Sequence, residues 1–213
     1  PVNRFADAAA SLLFPAHCAF CNGVTVGKAR CCPKCESRFH IGDAGAARVH
    51  SELTIYSCFH YKEECKRALA DFKFRRDTQF VDYFAEELSK LIEERTGGFA
   101  FDHVVYLPMP ELRERERGYN QGKLLAEAVA ARHNMKCELC GLTRREIFAQ
   151  HDLNAPMRRK QLYGGYGMEE GTRLCGSALL VDDVVTTGSS LIGCARLLHS
   201  AGVGEITAIT VAG

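Results

Sequence analysis

The sequence lacks tryptophan, contains only 6 prolines in 213 residues and carries a formal net charge of just +1. It has no long uncharged apolar run, which excludes a membrane-spanning helix. Residues 1–10 include Arg4 and Asp7 and do not form the apolar core of a secretory signal peptide, so we expect a cytoplasmic protein. Because basic and acidic residues balance at 27 and 26, any surface that binds a polyanion must be local.

The remaining composition indicates a folded chain that contains metal ligands. Apolar residues make up 46% of the sequence, which is enough for a hydrophobic core and too much for a disordered chain. The length suits one domain of roughly 150 residues together with a small module. The 11 cysteines are an odd number in a chain expected to be cytoplasmic, which argues against a disulfide framework and for metal ligands and buried thiols.

Two cysteine pairs stand close together near the start of the sequence. Cys18 and Cys21 form the first pair, and Cys32 and Cys35 form the second. Pairs with this spacing are the usual structural zinc arrangement, and Cys31 is an alternative third ligand. The surrounding stretch is too small to hold a core alone, so zinc would supply the missing folding free energy.

Other potential metal ligands are weaker candidates. His17 and His40 flank the two cysteine pairs, but isolated histidines are more often surface residues. Cys137 and Cys140 form a further pair with no obvious mate, and in a strand their side chains would point to opposite faces. We interpret them as core cysteines, with metal binding or redox chemistry as the less favoured alternative.

From about residue 53 onward, short apolar runs alternate with helical patterns. This alternation predicts an α/β fold with a mainly parallel sheet and helices on both faces. The polar, Arg-rich and Gly-rich stretch at 144–167 indicates a loop or lid. The predicted strands are 54–59, 102–107, 135–142, 178–181 and 206–211, and the predicted helices are 63–74, 79–95, 119–132 and 190–198.

The most informative motif starts at the predicted strand 178–181. Asp182 and Asp183 follow it, at the carboxyl end where ligands bind in open parallel sheets. Two adjacent carboxylates can accept hydrogen bonds from a vicinal diol or hold Mg²⁺ through water. The following turn has donors suited to an anion at a helix N-terminus, and its residues are Thr186, Thr187, Gly188, Ser189 and Ser190. A sugar phosphate fits this array, with its diol on the acids and its phosphate in the turn.

A second basic motif follows the predicted strand 102–107. Pro108, Met109 and Pro110 form a stiff turn, and Arg113 and Arg117 come after it together with Arg115. Arginines at every second position cannot share one helix face, which favours an irregular basic loop around an anion. The interleaved glutamates fit the alternative, the start of a solvated charged helix.

Both motifs resemble known families. The string 179–191 is similar to the signature of type I phosphoribosyltransferases. The Pro-x-Pro turn, the Arg-Gly-Tyr-Asn-Gln run at 117–121 and the Leu-Ala helix after it resemble the ComF family (competence protein F). This resemblance implies a phosphoribosyltransferase-like domain at 51–213, preceded by a zinc-binding module at 1–50. The pattern before Pro15 also predicts a short N-terminal helix in the region 1–50.

The resemblance also implies roles for individual residues toward phosphoribosyl pyrophosphate. Asp182 and Asp183 would hold the ribose hydroxyls as the catalytic pair, and 186–190 would hold the 5′-phosphate. The loop with Pro108, Met109, Arg113 and Arg117 would hold pyrophosphate and Mg²⁺, and Lys73 would reach a phosphate. Arg144, Gln150 and Arg158 match the family's spacing in the suspected lid, where they would close over pyrophosphate or meet nucleic acid, whereas Gln161 replaces the family's usual asparagine.

Two functions from different classes follow from the resemblance. The first is a ComF-type helper in natural transformation, which would bind phosphoribosyl pyrophosphate or single-stranded DNA and act with DNA-uptake proteins. The second is an active phosphoribosyltransferase of nucleobase or related metabolism, although no obvious base-recognition element is present. A non-catalytic sensor of the ligand is a third possibility.

Overall fold

The computed structural model describes residues 16–26, 29–40, 46–49, 53–74, 80–144 and 165–213. Within these ranges the chain forms six helices and eight strands. The helices are α1 (Pro33–Phe39), α2 (Glu63–Phe74), α3 (Val81–Thr96), α4 (Glu111–Arg117), α5 (Gln121–Arg132) and α6 (Ser189–Ala201). The strands are β1 (Ala46–Val49), β2 (Thr54–Phe59), β3 (His103–Tyr106), β4 (Cys137–Glu138), β5 (Leu142–Arg144), β6 (Tyr166–Met168), β7 (Ser177–Val184) and β8 (Glu205–Ala212).

Six strands form one sheet in the order β1-β2-β8-β7-β3-β4. The neighbours from β2 to β4 are parallel, and β1 joins β2 as an antiparallel edge strand. The mainly parallel sheet expected from the alternating pattern is therefore confirmed. Strands β5 and β6 form a separate antiparallel pair.

Side chains of β7 alternate between two hydrophobic clusters, which shows that both faces of the sheet are covered. Leu179 and Val181 belong to a cluster that contains residues of α2, α3 and α5. Ala178 and Leu180 belong to a second cluster, which contains the buried residues of α6. All four β7 side chains are fully buried, as a near-continuous apolar run in a parallel strand predicts.

The region of the two cysteine pairs packs against the same core. Phe20 lies 5.0 Å from Phe59 of β2, measured between ring centroids, and 5.4 Å from Phe39 at the end of α1. An isolated antiparallel bridge joins His40 to Phe59. Aromatic contacts of this kind add to the free energy of apolar burial, so they fix the cysteine-rich segment on the sheet.

The structure corrects three expectations from the sequence. Residues 111–117 form the helix α4 instead of an irregular loop, because Glu111 pairs with Arg115 at i,i+4 spacing and basic residues occupy the last turn. The predicted strand at 135–142 is limited to β4, since a turn separates it from β5. Arg144 and Tyr166, placed in a loop or lid, lie in the paired strands β5 and β6.

Two further sequence predictions fall on residues outside the described ranges: a short helix before Pro15 and the interior of the suspected lid, at 145–164. None of the helices in the described ranges combines the length and the apolar character that a membrane crossing needs.

Candidate functional site

The two acids of the central motif lie at the carboxyl end of β7. This strand runs to Val184, so the acids form part of it, whereas the sequence placed them after the strand. Asp182 is half-buried and pairs in register with Thr210 of β8, while Asp183 is buried with 7% of its surface exposed. The Asp183 N–H donates to Asp182 Oδ1 at 2.9 Å, which orients the Asp182 carboxylate.

Asp182 and the Thr-Thr-Gly-Ser-Ser turn line one cleft of about 60 Å³, together with Val184, Val185 and Leu191. Gly188 has a φ of 77°, a left-handed conformation that a side chain would strain, and α6 begins directly after it. The first residues of α6 therefore border the cleft, where backbone N–H groups and the helix dipole favour an anion. Thr187 Oγ1 and Ser189 Oγ hydrogen bond at 2.8 Å, which shapes the turn.

The start of α5 lies against Asp182. A Cβ atom added to Gly122 would lie 3.5 Å from Asp182 Oδ1 and 3.6 Å from the Val181 carbonyl oxygen. Asn120 caps this helix through its side-chain oxygen, which accepts from the Lys123 N–H at 3.1 Å. The amide end of the helix is thus held beside the carboxylate at the carboxyl end of the sheet.

The residues expected to bind pyrophosphate lie before α5, the helix whose first residues lie beside Asp182. Pro108 and Met109 follow β3, whose last residue Tyr106 pairs in register with Val181 of β7. Arg117 Nη1 donates to the Gln121 side-chain oxygen at 3.0 Å, one residue before Gly122. Arg113 is exposed on α4.

Lys73 lies in the last turn of α2, and its side chain is outside the described part of the structure. The Tyr119 hydroxyl donates to the carbonyl oxygen of Phe72, the residue before Lys73. This contact joins the end of α2 to the segment between α4 and α5. Phe72 itself is fully buried, as expected for a core aromatic residue.

Among the residues of the suspected lid, the structure describes only Arg144. Its guanidinium carbon lies 4.1 Å from the centroid of the Tyr166 ring, a stacked cation–π contact. Burial raises the pKa of the Tyr166 hydroxyl, and the nearby Ser190 side chain of the turn acts to lower it. The β5–β6 pair therefore lies beside the Thr-Thr-Gly-Ser-Ser turn at 186–190, whereas Gln150 and Arg158 lie outside the described residues.

Sequence reasoning missed two residues that contact the turn. Arg48 of β1 donates from Nη1 to the Thr186 carbonyl oxygen, across 138 positions of sequence. Tyr166 reaches Ser190 from β6. No local motif marks Arg48, since pairing of β1 with β2 brings it to the site. An aromatic residue between glycines was the only sequence signal for Tyr166.

The four cysteines of the two pairs come together in space. The Sγ atoms of Cys18, Cys21, Cys32 and Cys35 all lie within 4.8 Å of one another. This set fits a tetrahedral divalent ion such as Zn²⁺. Cys31 is not part of the set: its Sγ donates to the Cys32 carbonyl oxygen at 3.6 Å, and burial raises its pKa to about 12.

Hydrogen bonding favours the thiolate form at one of these cysteines. Burial acts to raise the pKa of Cys18, but hydrogen bonds from the backbone of Cys21, Cys32 and Phe20 outweigh it and lower the pKa to about 7. The Cys32 N–H lies 3.4 Å from Cys18 Sγ. A thiolate is the form that binds metal, so the backbone prepares this position for a cation.

The further cysteine pair, Cys137 and Cys140, is not held in one strand. Cys137 lies in β4 and packs against the first hydrophobic cluster, whereas Cys140 lies in the following turn and belongs to the second. Burial raises the pKa of each thiol to about 12. Cys137 is half-buried and Cys140 is buried, and the two pack against different hydrophobic clusters.

Comparison with known proteins extends over most of the chain. No family model matches the sequence. DNA utilization protein YhgH of Escherichia coli (strain K12) is 27% identical over an alignment 213 residues long. The alignment covers 89% of this chain and 86% of that protein. Competence protein F of Haemophilus influenzae is 28% identical over 154 residues, covering 69% and 67% of the two chains, and competence protein ComFC of Bacillus subtilis is 28% identical over 148 residues, covering 68% and 58%.

The similarity to the Escherichia coli protein spans most of both chains. The similarity agrees with the motifs at 117–121 and 179–191. Together, the relatives support the assignment of this chain to the ComF family.

Proposed function

We propose that this protein binds phosphoribosyl pyrophosphate at the carboxyl end of β7. In this proposal Asp182 and Asp183 hold the ribose hydroxyls, and residues 186–190 hold the 5′-phosphate. The observation that carries the proposal is the shared cleft, which Asp182 and the Gly188 turn both line. Carboxylates accept from a diol, and a helix N-terminus with successive N–H groups binds an anion, so the two ends match opposite ends of the ligand.

The pyrophosphate would lie toward α4 and α5. The closeness of Gly122 to Asp182, where an added Cβ atom would lie 3.5 Å from Oδ1, and the hydrogen bond from Arg117 to Gln121 support this placement. Arg117 and Arg113 would neutralise the pyrophosphate with Mg²⁺, and Pro108 and Met109 would line the turn beneath it. Lys73 would approach from the end of α2, which the Tyr119 contact with Phe72 holds nearby.

We further propose a role in DNA utilization or competence, since these are the functions that the names of the similar proteins give. In this role the protein would bind single-stranded DNA and act with DNA-uptake proteins. Arg144, which lies over the Tyr166 ring near the turn at 186–190, supports a contact with a polyanion there. Gln150 and Arg158 would extend that contact.

The four-cysteine cluster fits a structural Zn²⁺ ion in this proposal. Its segment is short, and its aromatic residues Phe20 and Phe39 pack on the main core. Zinc would fix the two cysteine pairs and so hold these rings in place. Residues 1–50 would then act as a module that stabilises the domain at 51–213.

Ligand-induced thermal stabilisation tests the phosphoribosyl pyrophosphate site. We expect the melting temperature of the full chain to rise with phosphoribosyl pyrophosphate and Mg²⁺, and to stay unchanged in the Asp182→Asn/Asp183→Asn variant. Glu205→Gln is the matched control, because Glu205 is an exposed carboxylate at the opposite, amino end of β8. Equal stabilisation of the double variant and the wild type would place the ligand elsewhere.

A gel shift with single-stranded DNA across a salt series tests the nucleic-acid role. Binding through several phosphates weakens steeply as salt increases. We expect Arg144→Ala to weaken binding and to flatten this salt dependence. Release of pyrophosphate with a nucleobase, in the absence of DNA binding, would instead favour an active phosphoribosyltransferase.

A further inference from the structure

A second cluster of metal-ligating side chains lies away from both sites described above. His103 opens β3, Glu138 ends β4, and Cys140 lies in the turn that follows. One ligand atom from each residue lies within 4.8 Å of the other two. We propose that these three residues form a second divalent-metal site, selective for Zn²⁺ or a similar borderline ion, with a solvent-filled fourth position.

The hydrogen bonds of His103 define which ring nitrogen faces the cluster. Its Nε2 lies 3.1 Å from the Cys175 carbonyl oxygen, and a carbonyl can only accept, so Nε2 carries a proton. Metal-binding histidines usually donate their other ring N–H to a carbonyl or a carboxylate in this way. The arrangement leaves Nδ1 as the atom that faces Glu138.

Nδ1 and the Glu138 carboxylate form a close pair. The distance from Nδ1 to Glu138 Oε1 is 2.9 Å. With Nε2 protonated, a neutral imidazole presents a lone pair at Nδ1, and the carboxylate oxygen also only accepts. Either a ring proton on Nδ1 or a metal ion can join the two atoms at this distance. Cys140 adds a sulfur ligand to the nitrogen and the oxygen, and this cluster of three ligand atoms is the observation that supports a metal.

The ligand set selects the class of ion. Nitrogen, sulfur and carboxylate oxygen together suit Zn²⁺ and disfavour Mg²⁺ and Ca²⁺, which prefer oxygen alone. Ligand atoms around a tetrahedral zinc ion lie about 3.3–3.8 Å apart for bonds of about 2.0–2.3 Å. The observed separations of up to 4.8 Å reach that range after shifts of about one ångström.

The backbone also holds Cys140 in an uncommon conformation. Its φ is 50°, in a turn closed by a hydrogen bond from the Leu142 N–H to the Leu139 carbonyl oxygen at 2.9 Å. Asn, Asp and Gly are the residues that usually occupy such positions. Cys140 places a thiol near His103 and Glu138. Asn, Asp or Gly at this position would provide no sulfur ligand.

This site is separate from the phosphoribosyl pyrophosphate site. His103 pairs in register with Ala178, four residues before Asp182 on β7. At about 3.3 Å per residue, the two sites are about 13 Å apart along the strands. An ion here would join β3, β4 and the turn before β5. It would therefore stabilise the short edge strand β4 and the start of the β5–β6 pair, which contains Arg144.

Metal content of the full-length protein tests the proposal. We expect two Zn²⁺ ions per chain after loading and removal of free metal, measured by inductively coupled plasma mass spectrometry. Cys140→Ser should lose one ion and Cys18→Ser should lose the other, so the two sites are distinguishable. Cys175→Ser is the matched control, because its exposed thiol is outside the cluster and its carbonyl is retained.

A second variant guards against a folding defect in Cys140→Ser. The Glu138 side chain is 54% exposed, so Glu138→Gln should fold normally. Loss of outer-shell partners weakens metal binding by about 10–100-fold, and loss of a direct ligand should weaken the second site by at least that factor. One ion per wild-type chain, or two ions in both Cys140→Ser and Glu138→Gln with unchanged affinity, would overturn the proposal.

Discussion

Gly122→Ala should stabilise the fold and, at the same time, weaken the binding of phosphoribosyl pyrophosphate. A Cβ atom at this position would meet Asn120 Oδ1 at 3.4 Å, Asp182 Oδ1 at 3.5 Å and the Val181 carbonyl oxygen at 3.6 Å, all ordinary van der Waals distances. Replacement of glycine by alanine without strain stabilises a protein by about 0.4–1 kcal/mol, mainly because the unfolded chain loses conformational freedom. We therefore expect the melting temperature to rise by about 1–4 °C.

The same methyl group would occupy the space beside the oxygen that is proposed to hold a ribose hydroxyl. Loss or displacement of one such hydrogen bond to a carboxylate costs about 1.5–3 kcal/mol. That corresponds to at least about a tenfold weaker affinity for phosphoribosyl pyrophosphate. Differential scanning fluorimetry measures the stability, and titration calorimetry measures the affinity.

Ala131→Gly is the matched control for this variant. Ala131 is exposed near the end of the same helix, so glycine there changes helix stability by about 0.5–1 kcal/mol without approaching Asp182. It should lower the melting temperature and leave the affinity unchanged. Wild-type affinity in Gly122→Ala would refute the placement of the ligand at Asp182, and a lower melting temperature would refute the steric reasoning.

Three further variants test the fold and the cysteine cluster. Thr210→Val leaves the buried Ser57 hydroxyl without its 2.8 Å partner, so urea denaturation should show a loss of about 1–3 kcal/mol, partly restored by adding Ser57→Ala. Hydrogen bonds from Ser177 lower the pKa of Asp102 below its ordinary 3.8, so this carboxylate stabilises the fold above that pH and the effect is lost as the pH falls through the lower folded pKa. Asp102→Asn should therefore flatten the acid side of the stability profile, and an unchanged profile would contradict this. Cys18→Ser should release the metal and destabilise residues 16–40, which metal analysis and proteolysis measure, and an unchanged metal content would rule out this cluster as the site.

Local patterns predicted much of the secondary structure. The predicted strand at 54–59 and the predicted helix at 63–74 match β2 and α2 residue for residue. Apolar side chains at helical spacing and short apolar runs report which face is buried, and burial dominates the stability of both elements. The grouping of the two cysteine pairs could also be predicted from the sequence, because the spacing of metal ligands is a local property of the chain.

The failures have a different physical origin. Residues 111–117 were given a loop because their arginines do not share a helix face, yet α4 needs no shared face when it buries no residue and is held by charge pairs and a left-handed Gly118. The turn at Cys140 interrupts the strand expected at 135–142, and no glycine or asparagine at position 140 announces it. Solvated helices and unusual turns thus carry weak sequence signals.

The sequence predicted the residues of the candidate site that lie close together along the chain. It missed those that distant strands contribute. Asp182 and the turn that follows are close in sequence, and the structure places them in one cleft. Arg48 and Tyr166 reach that turn from β1 and β6. Only the pairing of distant strands brings these residues together, so one sequence read locally does not reveal them.

Isothermal titration of the full-length protein with phosphoribosyl pyrophosphate in the presence of Mg²⁺ tests the central claim most directly. The account predicts saturable binding of one ligand per chain that disappears in the Asp182→Asn/Asp183→Asn variant. No binding heat for the wild type across a range of temperatures, or unchanged binding by the double variant, would contradict it.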